Sequence, residues 1–152
     1  MQIDLGDFCL ELFNDSNPQH IWLAEQFNKE SKFDFISMID SRLKLNNKSK
    51  KFPFGMAFVV SSSNTLLGYM FISSVRQDEV YLESSLLQDK RRRGIGKALL
   101  KAMTDYLFDN YNIKEIALDI YVSNEAGINT AISCDYYQDE SIDLFDNCLN
   151  VC

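Results

Sequence analysis

The feature that most constrains the fold of this chain is a turn rich in arginine and glycine. It reads Arg91-Arg92-Arg93-Gly94-Ile95-Gly96 and joins an apolar, strand-like run over residues 80–87 to a helical pattern over residues 97–108. The first N–H groups of a helix lack partners within the helix, and the helix dipole is positive there. Glycine lets a ligand approach the backbone closely. The turn therefore predicts an anion site, and phosphate is the usual guest of such a site.

The spacing of the glycines excludes two common phosphate motifs. A dinucleotide fingerprint, G-x-G-x-x-G, would need a glycine where Leu99 stands. A P-loop would need Ser or Thr after Gly96-Lys97, where the chain has Ala98. The pattern that does fit is [RQ]-x-x-G-x-[GA] between a strand and a helix. The alternative is a basic turn at a helix start that binds no ligand.

Length and composition predict one domain over residues 1–152. The chain is long enough to bury a core, and 46% of its residues are hydrophobic. No apolar run is as long as a membrane span, and the first residues lack the pattern of a secretory signal, so we expect a cytoplasmic protein. The cysteines form no C-x-x-C or Cys/His cluster, so we expect free thiols and no metal. They are Cys9, Cys134, Cys148 and Cys152.

The net charge of −7 argues against general nucleic-acid binding, which relies on a basic face. Residues 90–93 are therefore a basic island on an acidic protein, and such an island suits one phosphorylated ligand. The acidic surroundings would favour a cationic partner such as an amine. The alternative is that the acidic surface serves only solubility.

Hydrophobic periodicity and turn residues divide the chain into alternating strands and helices. The predicted strands cover residues 6–13, 55–61, 65–75, 79–88, 114–122 and 141–151, and the predicted helices cover 18–28, a segment from residue 31, 94–109 and a short segment ending near 134. A helix that links two strands makes a crossover, so the strands flanking 94–109 should be parallel. The order β-α-α-β-β-β-α-β-α-β predicts an α/β (α+β) fold with a mixed central sheet of six to seven strands and flanking helices.

Capping residues predict where the first two helices begin. Asn17 is a candidate N-cap with Pro18 at the first helical position. Residues 31–34, Ser31-Lys32-Phe33-Asp34, are spaced for reciprocal capping of the second helix. The aromatic side chains of this helical pair, Trp22, Phe33 and Phe35, either pack in the core or line a ligand pocket. His20, the only histidine, is interpreted as a capping residue at the surface.

The turn and the element order together resemble the GCN5-related N-acetyltransferase (GNAT) family over the whole chain. Two partial motifs add to the resemblance. Leu67-Gly68-Tyr69 is similar to a segment of the family's third strand, and Leu118, Ile120 and Asn124 match its L-x-V-x-x-x-N pattern. The resemblance implies acetyl-CoA-dependent transfer of an acetyl group to a primary amine of a small molecule or peptide. A protein that binds acyl-CoA with little or no turnover is the alternative.

The resemblance also implies a set of residues that bind the co-substrate. Pantetheine would pair with the backbone of Leu86, Leu87 and Gln88, in a gap between the strands 79–88 and 114–122. The pyrophosphate would lie on the turn and the helix start, and Asn124 would be a further contact. The implied pyrophosphate residues are Arg91, Arg92, Arg93, Gly94, Ile95, Gly96 and Lys97. No metal is implied, the amine acceptor is not identified, and a homodimer is an open hypothesis.

Catalytic roles follow from the same resemblance. Glu83 is the candidate general base, with an exposed strand carboxylate as the alternative. The N–H of Leu86 or Leu87 would stabilise the oxyanion, once a bulge in the strand 79–88 frees it from pairing. Either Ser84 or Ser85 would orient a water or pack as a small residue.

The sequence departs from the family at the acid that protonates the leaving thiolate. Relatives often carry a tyrosine seven residues after the asparagine, and this chain has Ala131 there. Tyr137 is the remaining candidate acid, while Tyr136 matches a core aromatic. Gly127 stands where an alanine is common and is expected to weaken the short helix by about 0.5–1 kcal/mol.

Overall fold

The computed structural model describes residues 1–31, 34–45, 51–76, 78–121, 123–144 and 148–151. The helices in these ranges are α1 (Pro18–Ser31), α2 (Phe35–Leu45), α3 (Ile95–Asn110) and α4 (Glu125–Ser133). The strands are β1 (Gln2–Asp4), β2 (Cys9–Leu12), β3 (Met56–Ser62), β4 (Thr65–Arg76), β5 (Glu79–Leu86), β6 (Glu115–Tyr121), β7 (Gln138–Leu144) and β8 (Cys148–Val151). None of the helices in these ranges is long and apolar enough to cross a membrane.

The strands form one mixed sheet in the order β1-β2-β3-β4-β5-β6-β8-β7. Pairing is antiparallel everywhere except between β5 and β6, which are parallel because α3 crosses between them. The predicted fold class and the parallel pair are confirmed, but the described residues form eight strands rather than six or seven.

One additional strand, β1, precedes the predicted strand 6–13, and the other comes from the division of the last predicted strand. A turn at residues 5–8, in which Gly6 has φ 87° and donates to the Asp4 carboxylate, separates β1 from β2. At the other end, the predicted strand 141–151 is two strands, β7 and β8. β8 lies between β6 and β7 and pairs with both. The physical reason is that this pairing depends on distant partners, which local periodicity does not report.

The sheet buries a hydrophobic cluster on each face. One cluster lies under α3 and α4 and includes Met70, Leu82, Leu99, Met103 and Ala131. The other lies under α1 and α2 and includes Leu23, Phe27, Phe35, Tyr69 and Phe71. Because side chains alternate along a strand, β5 sends Leu82 to the α3 face and Glu83 to the α1/α2 face. The two faces of β5 therefore pack toward different helices.

The first helix begins as predicted and the second does not. The side chain of Asn17 accepts from the N–H of Gln19 at 2.9 Å, so Asn17 caps α1. Ser31 is the last residue of α1, and Asp34 caps α2 by accepting from the N–H groups of Ile36 and Ser37. Predicted capping by Ser31 is thus wrong, because α1 continues through that residue. Lys32 and Phe33 lie outside the described residues.

His20 is buried rather than at the surface, with 2% of its area exposed. Its Nδ1 accepts from the N–H of Asn14 at 2.9 Å, and its ring stacks on Phe13. Burial lowers the pKa of the imidazole, and the Glu11 carboxylate opposes that shift in part. His20 therefore fixes the turn before α1 in its neutral form, and the prediction of a surface position is corrected.

Candidate functional site

An opening in the sheet begins where β5 and β6 part. The two strands pair from Glu79 and Glu115 to Leu82 and Leu118. Beyond that point β5 continues to Leu86 beside β4, whereas β6 pairs with β8. The part of β5 after Leu82 therefore has a described neighbour strand on one side only, and the opening lies on the other side.

The pairing with β4 decides which backbone groups of β5 face this opening. The N–H of Leu87 donates to the carbonyl of Leu67 at 2.8 Å. Antiparallel partners alternate, so the backbone groups of Ser85 and Leu87 face β4, and those of Ser84 and Leu86 face the opening. Of the two predicted oxyanion donors, Leu86 is the one whose N–H points there.

The expected bulge in β5 is not seen among the described residues, and a bulge occurs instead in β4, where it pairs with β3. Val60 pairs with Gly68 and Ser61 pairs with Leu66, so Leu67 is the extra residue. The β4–β5 register is regular from Gly68 to Ser74. A bulge in β5 is therefore a wrong prediction for these residues, and simple alternation along the strand directs the N–H of Leu86.

The turn that follows β5 leads into α3, whose N-terminus has no side-chain cap. A short 3₁₀ turn covers Gln88–Lys90, Arg92 has φ 63°, and Gly94 has φ 77° at the N-cap of α3. The first helical bond is from the Ala98 N–H to the Gly94 carbonyl at 3.1 Å. Because Gly94 offers no side-chain cap, the N–H groups of Ile95, Gly96 and Lys97 are the ones that helix geometry leaves without an intrahelical acceptor.

The space above this helix start fits a bound group. A Cβ added to Gly94 would meet no atom within 4 Å, and one added to Gly96 would meet only the Leu86 side chain at 3.8 Å. Arg92, Arg93 and Lys97 are exposed around it. The glycines therefore leave an open, positively charged cradle next to the end of β5.

Two residues predicted to contact the co-substrate are already engaged with the protein. The Gln88 N–H donates to Oε2 of Glu30 at 3.0 Å. The Arg91 Nε donates to the carbonyl of Leu86 at 3.0 Å, and its guanidinium lies 3.7 Å from Glu30 Oε1. Glu30 is a part of the site that sequence reasoning missed, because it is separated from Gln88 by 58 residues and belongs to no motif.

Glu83 lies at the start of the opening, directly after the last residue of β5 that pairs with β6. It is half-buried and pairs with Phe71, so its side chain is on the α1/α2 face, and its Oε2 is buried. Ser85 pairs with Tyr69 and shares that face, whereas Ser84 pairs with Met70 on the α3 face. Of the two serines considered as water ligands, Ser85 is the one on the same face as Glu83.

Asn124 follows the end of β6 and caps α4. Its side-chain oxygen accepts from the Gly127 N–H at 3.0 Å. A Cβ on Gly127 would lie 2.7 Å from the Asn124 amide nitrogen. Gly127 thus leaves room for the Asn124 cap. The hydrogen bond of this cap compensates for the low helix propensity of the glycine.

The candidate acids are not at the opening. The Ala131 side chain is fully buried against the α3 side of the core. Tyr136 is buried too, with its hydroxyl 2.7 Å from Thr104 Oγ1, in agreement with its predicted core position. Tyr137 is 68% exposed and lines a cleft of about 360 Å³ with Phe108, Lys114 and Glu115. Glu115 pairs with Glu79, at the opposite end of β5 from Leu86, so this cleft is separate from the cradle.

The aromatic side chains considered for the acceptor pocket have different positions. Phe35 is fully buried and contacts Phe27 and Tyr69, so it belongs to the core. Trp22 is 47% exposed and lines a cleft of about 390 Å³ beside the turn, together with Leu66, Leu87, Asp89 and Lys90. Phe33 lies outside the described residues. In the described part of the chain, no three His, Cys, Asp or Glu residues form a group that could hold a metal.

Comparison with known families gives one match over most of the chain. The family described as "Acetyltransferase (GNAT) family" matches residues 9–136, which include the turn and both strands of the opening. A comparison with curated proteins finds no significant match.

Solved structures with a similar fold include three that cover nearly the whole chain. N-acetyltransferase PseH of Campylobacter jejuni, in complex with acetyl coenzyme A, is 17% identical with a TM-score of 0.68, over 95% of this chain and 96% of that one. A Salmonella typhimurium acetyltransferase that modifies the N-terminal serine of ribosomal protein L7/L12 is 14% identical with a TM-score of 0.71, over 99% and 95%. Vibrio cholerae spermidine N-acetyltransferase, with CoA and spermine, is 12% identical with a TM-score of 0.69, over 95% and 94%. At these identities the likeness concerns the fold.

Proposed function

Since the chain belongs to the acetyltransferase (GNAT) family, we propose that it transfers an acetyl group from acetyl-CoA to a primary amine of a small molecule or peptide. The observation that carries the proposal is the parting of β5 and β6 directly beside the uncapped start of α3. A long ligand with a pyrophosphate at one end and a thioester at the other matches that arrangement. The complexes of PseH with acetyl coenzyme A and of spermidine N-acetyltransferase with CoA support the choice of co-substrate.

In this proposal the cradle at the start of α3 holds the pyrophosphate. The N–H groups of Ile95, Gly96 and Lys97 donate to its oxygens, since helix geometry leaves them unused. The exposed side chains of Arg92 and Arg93 add charge-assisted contacts. Arg91 serves the turn instead, because its guanidinium is occupied by Leu86 and Glu30.

The pantetheine arm is assigned to the open side of β5. Among the predicted backbone contacts, the N–H groups of Leu87 and Gln88 already donate to Leu67 and Glu30. The backbone of Ser84 faces the opening and supplies strand-like hydrogen bonds, and the N–H of Leu86, which also faces the opening, is left for the acetyl carbonyl. The Leu86 carbonyl is shared with Arg91, so fewer of these contacts are offered than the sequence suggested.

In the proposed reaction the amine nitrogen bonds to the acetyl carbon, the carbon–sulfur bond breaks, and CoA leaves as a thiolate that takes up a proton. Glu83 accepts the amine's proton, directly or through a water held by Ser85, because an alkyl amine with a pKa of about 10 is mostly protonated at neutral pH. The Leu86 N–H donates to the carbonyl oxygen as it becomes negative. A water carries to the thiolate the second proton that the nitrogen loses as the amide forms, since Tyr137 lines a different cleft and Ala131 is buried.

A second candidate function is acyl-CoA binding with little or no turnover. The observation that favours it is the fully buried Ala131 at the position where the family pattern has the acidic tyrosine. The two functions share the cradle and differ in thiol release. A panel of amines that releases free CoA above the hydrolysis background supports the transferase, and no release with any amine supports the binding protein.

Three further points complete the proposal. Cys9 and Cys134 are free thiols among the described residues, which agrees with a reducing compartment, and we propose the cytoplasm. The acidic net charge favours a small co-substrate over nucleic acid as partner. A homodimer remains a hypothesis that size-exclusion chromatography with light scattering would test.

The first experiment is thermal unfolding with and without acetyl-CoA. A ligand at about a hundred times its Kd adds roughly 2.7 kcal/mol, which raises the Tm by roughly 5–10 °C for a domain of this size. Gly96→Trp should remove the shift, because the indole fills the open space above the cradle. The matched control is Asp109→Trp at the exposed far end of α3, which should keep it. A folded wild-type protein with no shift at millimolar acetyl-CoA contradicts the proposal.

A further inference from the structure

Glu30 lies in the last turn of α1, and its carboxylate reaches across to the turn after β5. Oε2 accepts the Gln88 N–H at 3.0 Å, and Oε1 lies 3.7 Å from the Arg91 guanidinium. The Glu30 side chain is 19% exposed, so most of it is covered by the protein. One carboxylate therefore joins α1 to two points of the turn.

Nothing within α1 favours a carboxylate at this position. The C-terminal end of a helix carries the negative end of its dipole, which opposes an acidic side chain in the last turn. The compensating contacts come from outside the helix, from the Gln88 N–H and Arg91. The placement of Glu30 is explained by the turn rather than by the helix that carries it.

The contacts of Glu30 act on both ends of the turn. Arg91 is held between Glu30 and the Leu86 carbonyl, which lies at the end of β5. Between these residues the 3₁₀ turn closes through bonds from the Lys90 N–H to Leu87 and from the Arg91 N–H to Gln88. Fixing Gln88 and Arg91 therefore fixes the path from β5 to the cradle, and with it the direction of the Leu86 N–H relative to the start of α3.

We propose that Glu30 is a positioning residue for the co-substrate site, an inference that rests on the proposed function. Its carboxylate holds the turn in the shape in which the Leu86 N–H and the first N–H groups of α3 face one opening. It also keeps Arg91 on the protein, so Arg92 and Arg93 are left for the phosphates. Binding of CoA therefore depends on a residue that does not contact it.

The test is the Kd for CoA by isothermal titration calorimetry, measured well below the Tm of every variant. Glu30→Ala removes both contacts and is expected to raise the Kd about tenfold. Glu30→Gln keeps an oxygen for the Gln88 N–H but loses the charge, so a rise of about threefold is expected. Glu25→Ala, at an exposed position of the same helix, is the matched control and should bind like the wild type.

Kinetics separate positioning from a merely structural role. Glu30→Ala is expected to raise KM for acetyl-CoA while kcat and the KM of the amine stay near the wild-type values. A double variant with Arg91→Ala should lose little more affinity than Glu30→Ala alone, because the two side chains act through one contact. Full additivity of the two losses contradicts action through Arg91.

The outcomes distinguish this inference from the proposed function. Wild-type protein that fails to bind CoA defeats the proposed function and the inference with it. If the wild-type protein binds CoA and a folded Glu30→Ala variant has a Kd within twofold of the wild-type Kd, the inference is overturned and the proposed function stands. Should Glu30→Ala fail to fold, Glu30→Gln measured against Glu25→Gln decides, and equal Kd values overturn the proposal.

Discussion

The segment from β5 to α3 and the segment from β6 to β8 both flank the opening, but different forces fix them. In the first, backbone conformation at neighbouring residues sets the geometry of the cradle, through the positive φ of Arg92 and Gly94. In the second, packing against distant residues sets it, as in the burial of Ala131 and the Tyr136–Thr104 hydrogen bond. Matching a motif by position therefore predicts the uncapped helix start of the first segment, but it does not predict where side chains such as Arg91 and Ala131 lie.

The largest expected effect comes from Gly68→Ala, which tests how strictly the backbone fixes the first segment. A Cβ at this position would overlap the Ser85 carbonyl oxygen and lie 2.9 Å from the Leu86 Cα. Both are backbone atoms, so β4 and β5 must separate at the end of the opening. We expect a loss of about 3 kcal/mol or more, a Tm lower by roughly 6–12 °C, and weaker CoA binding.

Denaturant unfolding and calorimetry on Gly68→Ala measure both effects. A variant with wild-type stability and wild-type affinity for CoA would contradict the close approach of the two strands. Such a result would also remove the reason for treating Leu67-Gly68-Tyr69 as a structural motif.

The next effect concerns Ala131→Tyr, which restores the residue that the family pattern expects. Because the Ala131 side chain is fully buried against the α3 side of the core, a phenol there overpacks the core, at a cost of about 1–3 kcal/mol. We expect a lower Tm and no gain in kcat. The matched control is Ile132→Tyr. The Ile132 side chain is 52% exposed, so this substitution should leave the Tm nearly unchanged. A rise in kcat for Ala131→Tyr would show that this side chain reaches the opening after all.

The smallest effect is expected for Gly127→Ala, the counterpart of Gly68→Ala in the second segment. Its Cβ would meet the Asn124 side chain, which can rotate away, rather than backbone. Loss of the Asn124 cap costs about 1 kcal/mol, and replacing a helical glycine recovers about 0.5–1 kcal/mol. The two nearly cancel, so the Tm should move by less than about 2 °C. A drop in Tm as large as that of Gly68→Ala would mean that the Asn124 side chain cannot rotate away.

Most of the fold could be predicted from the sequence because its signals are local. Alternation located β3, β4, β5 and β6, helical periodicity located α3, and the crossover made β5 and β6 parallel. The predictions failed at the two edges of the sheet, where β1 precedes the predicted first strand and where β8 inserts between β6 and β7.

The candidate site divides in the same way. Glycine and uncapped N–H groups are properties of a short segment, so the cradle from Gly94 to Lys97 could be recognised without a structure. The directions of side chains could not be predicted: Arg91 contacts the protein, and Tyr137 lines a separate cleft.

By itself the sequence determined the central elements, the parallel pair and the uncapped, glycine-rich start of α3, because each depends on the conformational preferences of adjacent residues. Only the tertiary structure decided that Leu86 rather than Leu87 offers its N–H to the opening, and that Ala131 is buried in the core. It also brought Glu30 to Gln88 and Arg91. These contacts join residues far apart in the chain, and their energies depend on distances that no local pattern encodes.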